Sequence, residues 1–191
     1  MYKNYKVLCI MGKAGAGKDT IARYLTTKFS DIFSPVISFT SRPMREREID
    51  GKDYFFTSKS NFILKIKTGE MLEWTYFNDW YYGTTEQSFN KDKINICVCN
   101  PAGASSLKKL GFDVRVIYIN VTDKERLIRQ LTREDNPDVN EIIRRYSADE
   151  KDFQNTKYHI EICNENRKVY EVALDIVCWL GPNGQMWINH L

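Results

Sequence analysis

The sequence is poor in several features that mark common protein classes. It has only two histidines, His159 and His190, so we expect no histidine-based metal site. Its five cysteines are odd in number and include no CxxC pair, which favours free, buried thiols in a reducing cytosol over disulfides. The net charge of +3 is too small to indicate binding to nucleic acid or to a membrane surface.

Long apolar runs are also missing. The first apolar run, residues 7–11, is too short for a signal peptide or a membrane span, and the chain carries no repeats. A length of 191 residues, with 42% hydrophobic and 28% charged residues, is typical of one soluble globular domain with small insertions. We therefore expect a cytoplasmic protein without a membrane or nucleic-acid partner, and its oligomeric state stays open.

Short apolar runs and helix-like segments alternate along most of the chain. The runs at residues 7–11, 94–99, 114–119 and 158–163 are rich in Ile and Val and predict buried strands. The alternation predicts right-handed βαβ units, and so an α/β fold with a central parallel sheet flanked by helices.

One block interrupts the alternation. Residues 36–90 are rich in aromatic and strand-forming residues, and we interpret them as a mixed, β-rich insertion that forms the acceptor side of a cleft. The core is then residues 1–35 and 91–191. Within it, the stretch at about 133–145 is rich in Arg, Asp and Asn and contains Pro137, which predicts a lid between two helices.

The most informative motif is GKAGAGKDT, at residues 12–20, which lies between a predicted strand and a predicted helix. A glycine-rich turn lets successive backbone N–H groups surround phosphate oxygens, and the helix N-terminus adds partial positive charge. Lys18 supplies a full positive charge. The segment therefore predicts a P-loop that binds a nucleotide through Gly12, Ala14, Gly15, Ala16, Gly17, Lys18, Asp19 and Thr20.

Asp19 occupies the position where this motif normally carries the Ser or Thr that ligates Mg²⁺. A carboxylate also binds Mg²⁺, directly or through water. The alternative is that Asp19 caps the following helix, a position where Asp is favoured. The sequence leaves both interpretations open.

A second basic segment, SFTSRPMREREIDGKDYFF, covers residues 38–56. Arg42 and Arg45 follow a predicted strand, and guanidinium groups suit bidentate contacts with phosphate. Ser38 and Tyr54 add hydroxyl donors. An arginine-rich loop alone is usually a solvated surface, but with a P-loop upstream it indicates a second phosphate site.

This segment resembles the acceptor motif of the guanylate kinase family. GEMLEW at residues 69–74 and YYGT at residues 81–84 are similar to two further family blocks, and Arg133, Arg145 and Asn164 match later ones. The resemblance covers roughly residues 5–180. It implies the fold of a P-loop nucleoside monophosphate kinase with a helical lid, and transfer of the γ-phosphate of MgATP to GMP or dGMP.

The resemblance also implies roles for individual residues. The GMP phosphate would contact Ser38, Arg42, Arg45, Tyr54 and Tyr82. Glu73 and Thr84 would recognise the guanine edge, since a carboxylate accepts from its two donors and a hydroxyl donates to O6. Arg133 and Arg145 would close over ATP, to which Asn164 would also bind. The expected catalytic set is Lys18, Arg42, Arg45, Arg133 and Arg145, with Mg²⁺ as the cofactor.

Some positions depart from the family pattern. Val98 and Asn100 stand where two acidic residues are usual, so Asn100 would accept from the base without a charge, and Asp19 is a candidate to replace the carboxylate lost at Val98. Two alternatives therefore remain. One is a kinase with a different or broader nucleotide acceptor. The other is a non-catalytic protein-binding module, although such modules typically lose the glycines or the lysine that this P-loop retains.

Overall fold

The computed structural model describes residues 2, 4–44, 48–77, 79–133 and 136–181. The strands, in chain order, are β1 (Lys6–Met11), β2 (Phe33–Pro35), β3 (Phe39–Thr40), β4 (Phe55–Phe56), β5 (Met71–Phe77), β6 (Trp80–Thr85), β7 (Ile94–Val98), β8 (Asp113–Asn120) and β9 (Ile160–Cys163). The helices are α1 (Lys18–Lys28), α2 (Lys59–Lys67), α3 (Pro101–Lys109), α4 (Asp123–Leu131), α5 (Val139–Asp152) and α6 (Val169–Leu180).

A five-stranded parallel sheet forms the centre of the molecule, in the order β2-β7-β1-β8-β9. Successive side chains of β1 point to opposite faces, so Leu8 and Ile10 pack against α1 and α6, whereas Val7, Cys9 and Met11 lie on the face covered by α3. Both faces are buried, which explains why these strands read as continuous apolar runs.

The predicted α/β fold with a flanked parallel sheet is therefore confirmed. The four sequence-predicted strands are all in the sheet, and β2 is a fifth that the sequence pattern did not show. It spans three residues and lies at the sheet edge, so it has too few residues for a detectable period. No helix in the described part of the chain is long and apolar enough to cross a bilayer.

A second sheet, in the order β4-β3-β6-β5, lies within the block where the alternation breaks. Strands β3 and β4 are parallel, and the other pairs are antiparallel. A bulge between Met71 and Glu73 shifts the register of β5, after which Glu73 pairs with Thr84 of β6. This pairing sets the two side chains next to each other.

Polar segments of the core follow the carboxyl ends of three strands of the central sheet. Gly12 follows β1, Asn100 lies two residues after β7, and Asn164 follows β9. Ligands of open α/β sheets bind at this edge, where the strand order reverses on either side of β1.

Candidate functional site

The turn between β1 and α1 takes the backbone shape that its glycines allow. Gly15 and Gly17 have φ angles of 85° and 89°. A Cβ atom on Gly15 would lie 2.8 Å from the carbonyl oxygen of Arg126, and one on Gly17 would lie 2.7 Å from Nδ2 of Asn164. Neither position accepts a side chain without displacement, so this conformation of the turn requires glycine at both positions.

Two side chains from other elements hold this turn in place. The Nδ2 atom of Asn164 donates to the carbonyl oxygen of Ala16 at 2.8 Å, and Nε of Arg126 donates to that of Ala14 at 2.8 Å. Asn164 is buried and contacts the loop itself. Its predicted contact with ATP stays a prediction, while its contact with the P-loop is a feature that sequence reasoning did not identify.

Lys18 and Asp19 begin α1 at the mouth of the turn. The Lys18 ammonium donates to the carbonyl oxygen of Lys13 at 3.1 Å, and burial lowers its pKa against the opposing effect of Asp19 and Asp149. The N-cap of α1 is Gly17, and its left-handed backbone makes no side-chain cap. Asp19 is therefore not the capping residue; its carboxylate is exposed in the first helical turn, beside Lys18.

A cleft of about 380 Å³ opens over this turn. The lid-region arginines Arg133 and Arg145 both line it, opposite the P-loop. The Nε atom of Arg145 donates to Oε1 of Glu141 at 2.8 Å, and the arginines around Glu141 lower the pKa of that carboxyl to about 2. The cleft lining thus combines the cations Lys18, Arg133 and Arg145 with the carboxylates Asp19, Asp149 and Asp152. The three cations are the groups suited to bind a polyphosphate.

On the second sheet, Arg42 is fixed by a two-pronged ion pair with Glu48, at 2.9 and 2.6 Å. Its guanidinium also lies over the rings of Tyr54 and Phe56. The Tyr54 ring meets that of Tyr82 edge to face at 6.1 Å, and burial raises the pKa of Tyr54. The structure therefore brings together three of the residues predicted to hold the acceptor phosphate, and it adds Glu48.

Ser38 lies next to this group, half-buried at the start of β3, where its carbonyl oxygen accepts from the N–H of Phe55 at 2.9 Å. The prediction for Arg45 lies outside the described residues. Electrostatic effects reach across from the core, because Asp19 is among the charges that raise the pKa of Tyr54.

The Glu73 and Thr84 side chains meet as register partners. The Thr84 hydroxyl donates to Oε1 of Glu73 at 2.9 Å, and Thr84 itself is buried. Burial raises the pKa of Glu73, and the hydrogen bonds from Thr84 oppose that rise. A half-buried carboxylate with unused acceptor positions is suited to a ligand that presents neighbouring N–H donors.

Asn100 lies on the wall of the phosphate cleft. Its Oδ1 atom accepts from the N–H of Gly103 at 3.0 Å, so it caps α3. Its Nδ2 atom is 3.4 Å from a carboxylate oxygen of Asp152. The residue type suits both contacts, because Asn is a favoured N-cap and its amide group also donates.

Sequence reasoning missed Arg126, Asp149 and Glu48. Arg126 is 1% exposed and joins α4, α5 and the P-loop. Asp149 accepts from the N–H of Ala14 at 2.8 Å. The only sequence signal for Arg126 and Asp149 is a charged residue on the inward face of an amphipathic helix, which is weak without knowing which helices pack together. Glu48 lies in the loop before β4.

Comparisons with known proteins agree with this geometry. A family model described as guanylate kinase matches residues 4–173. Guanylate kinase of Chlamydia felis (strain Fe/C-56) is 31% identical over 90% of this chain and 86% of that protein. Guanylate kinase of Chlamydia trachomatis serovar D is 33% identical over 78% of this chain and 68% of that protein. A crystal structure of guanylate kinase from Anaplasma phagocytophilum has a similar fold, with a TM-score of 0.62 at 19% identity, covering 94% of this chain and 86% of that one.

Proposed function

This chain belongs to the guanylate kinase family, and we propose that it transfers the γ-phosphate of ATP to GMP or dGMP, giving GDP or dGDP. The observation that carries the choice of base is the Glu73–Thr84 pair on the second sheet. Residues 36–90 would form the GMP-binding region, and residues 1–35 and 91–191 the core that binds ATP. All five cysteines are free, which supports a reducing, cytoplasmic location.

Guanine recognition follows from the donors and acceptors at this pair. Guanine presents N1–H and N2–H₂ as neighbouring donors, beside the O6 acceptor. The Glu73 carboxylate accepts from both donors, and the Thr84 hydroxyl rotates to donate to O6. Adenine would set its N1 lone pair against the carboxylate and leave a partly buried charge unpaired, a mismatch that such sites reject by roughly 10⁴-fold.

The acceptor phosphate would bind to the group around Arg42. Glu48 and the two aromatic rings orient the guanidinium, so little side-chain freedom is lost when the phosphate arrives. Tyr54, Tyr82 and Ser38 add hydroxyl donors on the same side. Arg45 would complete the set, as its place in the family motif indicates.

The donor nucleotide would bind in the cleft over the P-loop. Backbone N–H groups of residues 12–20, together with Lys18, would surround its phosphates, and Arg133 and Arg145 would cover them from the lid. Phosphoryl transfer depends mainly on aligning donor and acceptor and on neutralising the charge of the transferred group. Lys18, Arg42, Arg133 and Arg145 would neutralise that charge.

Mg²⁺ is the cofactor that we propose, and the residues present fit it. The Asp19 carboxylate lines the cleft beside Lys18 and is not used as a helix cap, and carboxylates are ligands that Mg²⁺ prefers. When bound, the ion would neutralise phosphate charge. Replacing Asp19 by Ala removes the carboxylate without adding another oxygen ligand, so it is expected to raise the Mg²⁺ concentration needed for half-maximal rate; an unchanged Mg²⁺ dependence and rate would reject this role.

A broader or different acceptor is the second candidate, and one observation favours it. Asn100 replaces an acidic residue of the family pattern, and its Oδ1 atom already caps α3. The Oδ1 atom of Asn100 would therefore accept from the base amino group without a charge and while it also accepts from Gly103. A weaker acceptor at this place would discriminate less strongly between bases.

A coupled ADP-release assay tests these candidates, with MgATP and a panel of GMP, dGMP, AMP, CMP, UMP and dTMP. We expect turnover with GMP and dGMP alone. Comparable turnover with another acceptor would support the second candidate, whereas ATP binding without any turnover would favour a non-catalytic module and contradict the proposal.

A further inference from the structure

Three cysteines lie together between the central sheet and α3, and the proposed kinase reaction does not use them. Cys9 of β1 pairs in register with Cys97 of β7, and Cys99 follows two residues later, so all three point to the same face of the sheet. Their sulfur atoms all lie within 4.8 Å of one another. Cys9 is fully buried, and Cys97 and Cys99 are partly buried.

This spacing is close to that required by one metal ion. A metal–sulfur bond is about 2.3 Å long, so three sulfurs around a single ion lie about 4 Å apart. Small changes of side-chain torsion suffice to reach that distance from the observed one. Cys9 and Cys97 belong to two paired strands, and the N–H of Cys99 donates to the carbonyl oxygen of Ile10 at 3.4 Å, so backbone hydrogen bonds hold the ligand set in place before an ion binds.

The ligand set also limits which ion fits. Among the described residues, no further His, Cys, Asp or Glu joins the group. Structural Zn²⁺ sites are closed by four ligands, whereas thiolates without harder ligands select soft ions such as Cu(I). Three sulfurs without a fourth protein ligand favour an ion that accepts three-coordination.

An entry path exists on one side. Cys99 lines the phosphate cleft next to Asn100, while Cys9 lies at the buried end of the cluster. An ion can therefore reach the outermost sulfur from solvent without opening the core, as a loadable metal site requires.

We propose that Cys9, Cys97 and Cys99 form a binding site for one Cu(I) ion, held by three thiolates at the edge of the nucleotide cleft. Three S–Cu bonds form, and three S–H bonds release their protons to solvent. Copper stays cuprous throughout, so no electron is transferred and no disulfide forms. The alternative is that the three thiols serve only as small apolar side chains in the core.

Two exposed cysteines provide a matched background for the test. Cys163 and Cys178 lie on the surface, so the full-length variant Cys163→Ser/Cys178→Ser removes competing thiols without touching the cluster. This variant is titrated anaerobically with Cu(I) against a chromophoric Cu(I) chelator. We expect one ion per chain, with a three-sulfur shell by X-ray absorption.

Single substitutions in that background locate the site. Cys99→Ser and Cys97→Ser are each expected to weaken Cu(I) affinity at least about 10-fold, since even second-shell changes cost 10–100-fold at metal sites. Circular dichroism reports whether each variant is folded, and Cys9→Ala provides a third variant if either one is not.

Three results would overturn the proposal. The first is that the background variant retains no Cu(I) against the chelator. The second is that the folded Cys97 and Cys99 variants bind Cu(I) with unchanged affinity. The third is that Zn²⁺ binds more tightly than Cu(I) in the same competition. Because copper binding is measured directly, failure of the site is distinguishable from failure of the kinase function.

Discussion

The Nη2 atom of Arg126 on α4 donates a 2.6 Å hydrogen bond to Oδ2 of Asp149 on α5, and the same oxygen accepts from the N–H of Ala14 in the P-loop. Two helices and the phosphate-binding turn therefore meet at one carboxylate. Asp123 provides a second anion for Arg126, and the Tyr146 ring lies 4.5 Å from its guanidinium carbon. This buried cation organises the phosphate side of the cleft.

Arg126→Leu is expected to destabilise the protein by about 3–5 kcal/mol, because it leaves the Asp149 carboxylate largely buried without its cation. Urea unfolding followed by circular dichroism measures the loss. The control is Arg167→Leu, which removes an exposed ion pair with Asp175 and is expected to cost less than about 1 kcal/mol. Equal losses in the two variants would show that Arg126 is no more important than a surface arginine.

Asp149→Asn is expected to lower the KM for ATP by roughly 3- to 10-fold with little change in kcat. The carboxylate accepts from a P-loop N–H and carries a negative charge on the wall of the cleft where the phosphates of ATP would bind. Removing the repulsion between this charge and the phosphates is worth about 1 kcal/mol, and the asparagine side-chain oxygen still accepts from Ala14 and Arg126. Steady-state kinetics with varied ATP measure the effect. Asp175→Asn is the control, because Asp175 does not line the cleft. A raised KM in Asp149→Asn would contradict the expectation.

Glu73→Gln is expected to reduce kcat/KM for GMP by roughly 100-fold or more, because the amide presents N–H groups to the guanine donors in place of an acceptor. The KM for ATP is expected to stay unchanged, since Glu73 lies on the second sheet. Glu70→Gln is a matched control, because Glu70 is exposed and pairs with Lys65 on the surface. Equal losses for both substrates would indicate misfolding and not lost base recognition.

The pH dependence of GMP binding follows from the Glu73 carboxyl. Burial raises its pKa above the ordinary value of 4.5, and guanine binding requires the ionised form. The KM for GMP is therefore expected to rise as pH falls, starting at a higher pH than for an exposed glutamate, while the KM for ATP rises less. Thr84→Val removes the hydroxyl hydrogen bond that lowers this pKa and keeps the backbone one, so its profile should shift to still higher pH. A shift to lower pH would refute the assignment.

The candidate site divides into residues that local sequence identifies and residues that it does not. Gly15, Gly17 and Lys18 can be identified from the sequence, because a P-loop is built from consecutive residues between a strand and a helix. Arg42 is singled out by the arginine-rich loop downstream of the P-loop, whereas Glu73 could be singled out only through the family resemblance, since one charge in an edge strand carries no local signal. Neither the local motif nor the family resemblance identified Arg126 and Asp149, because their role depends on how α4 and α5 pack over the loop.

The sequence by itself determined the parallel α/β core, the phosphate-binding turn and membership of the guanylate kinase family, since these depend on hydrophobic period and on motifs of adjacent residues. Tertiary structure alone decided that Gly17, and not Asp19, caps α1, that Thr84 meets Glu73, and that three cysteines share one face. The last two join residues of different strands, because Glu73 and Thr84 are register partners and Cys9 pairs with Cys97. Strand order, register and helix packing fix them, and no local pattern of residue types encodes those three things.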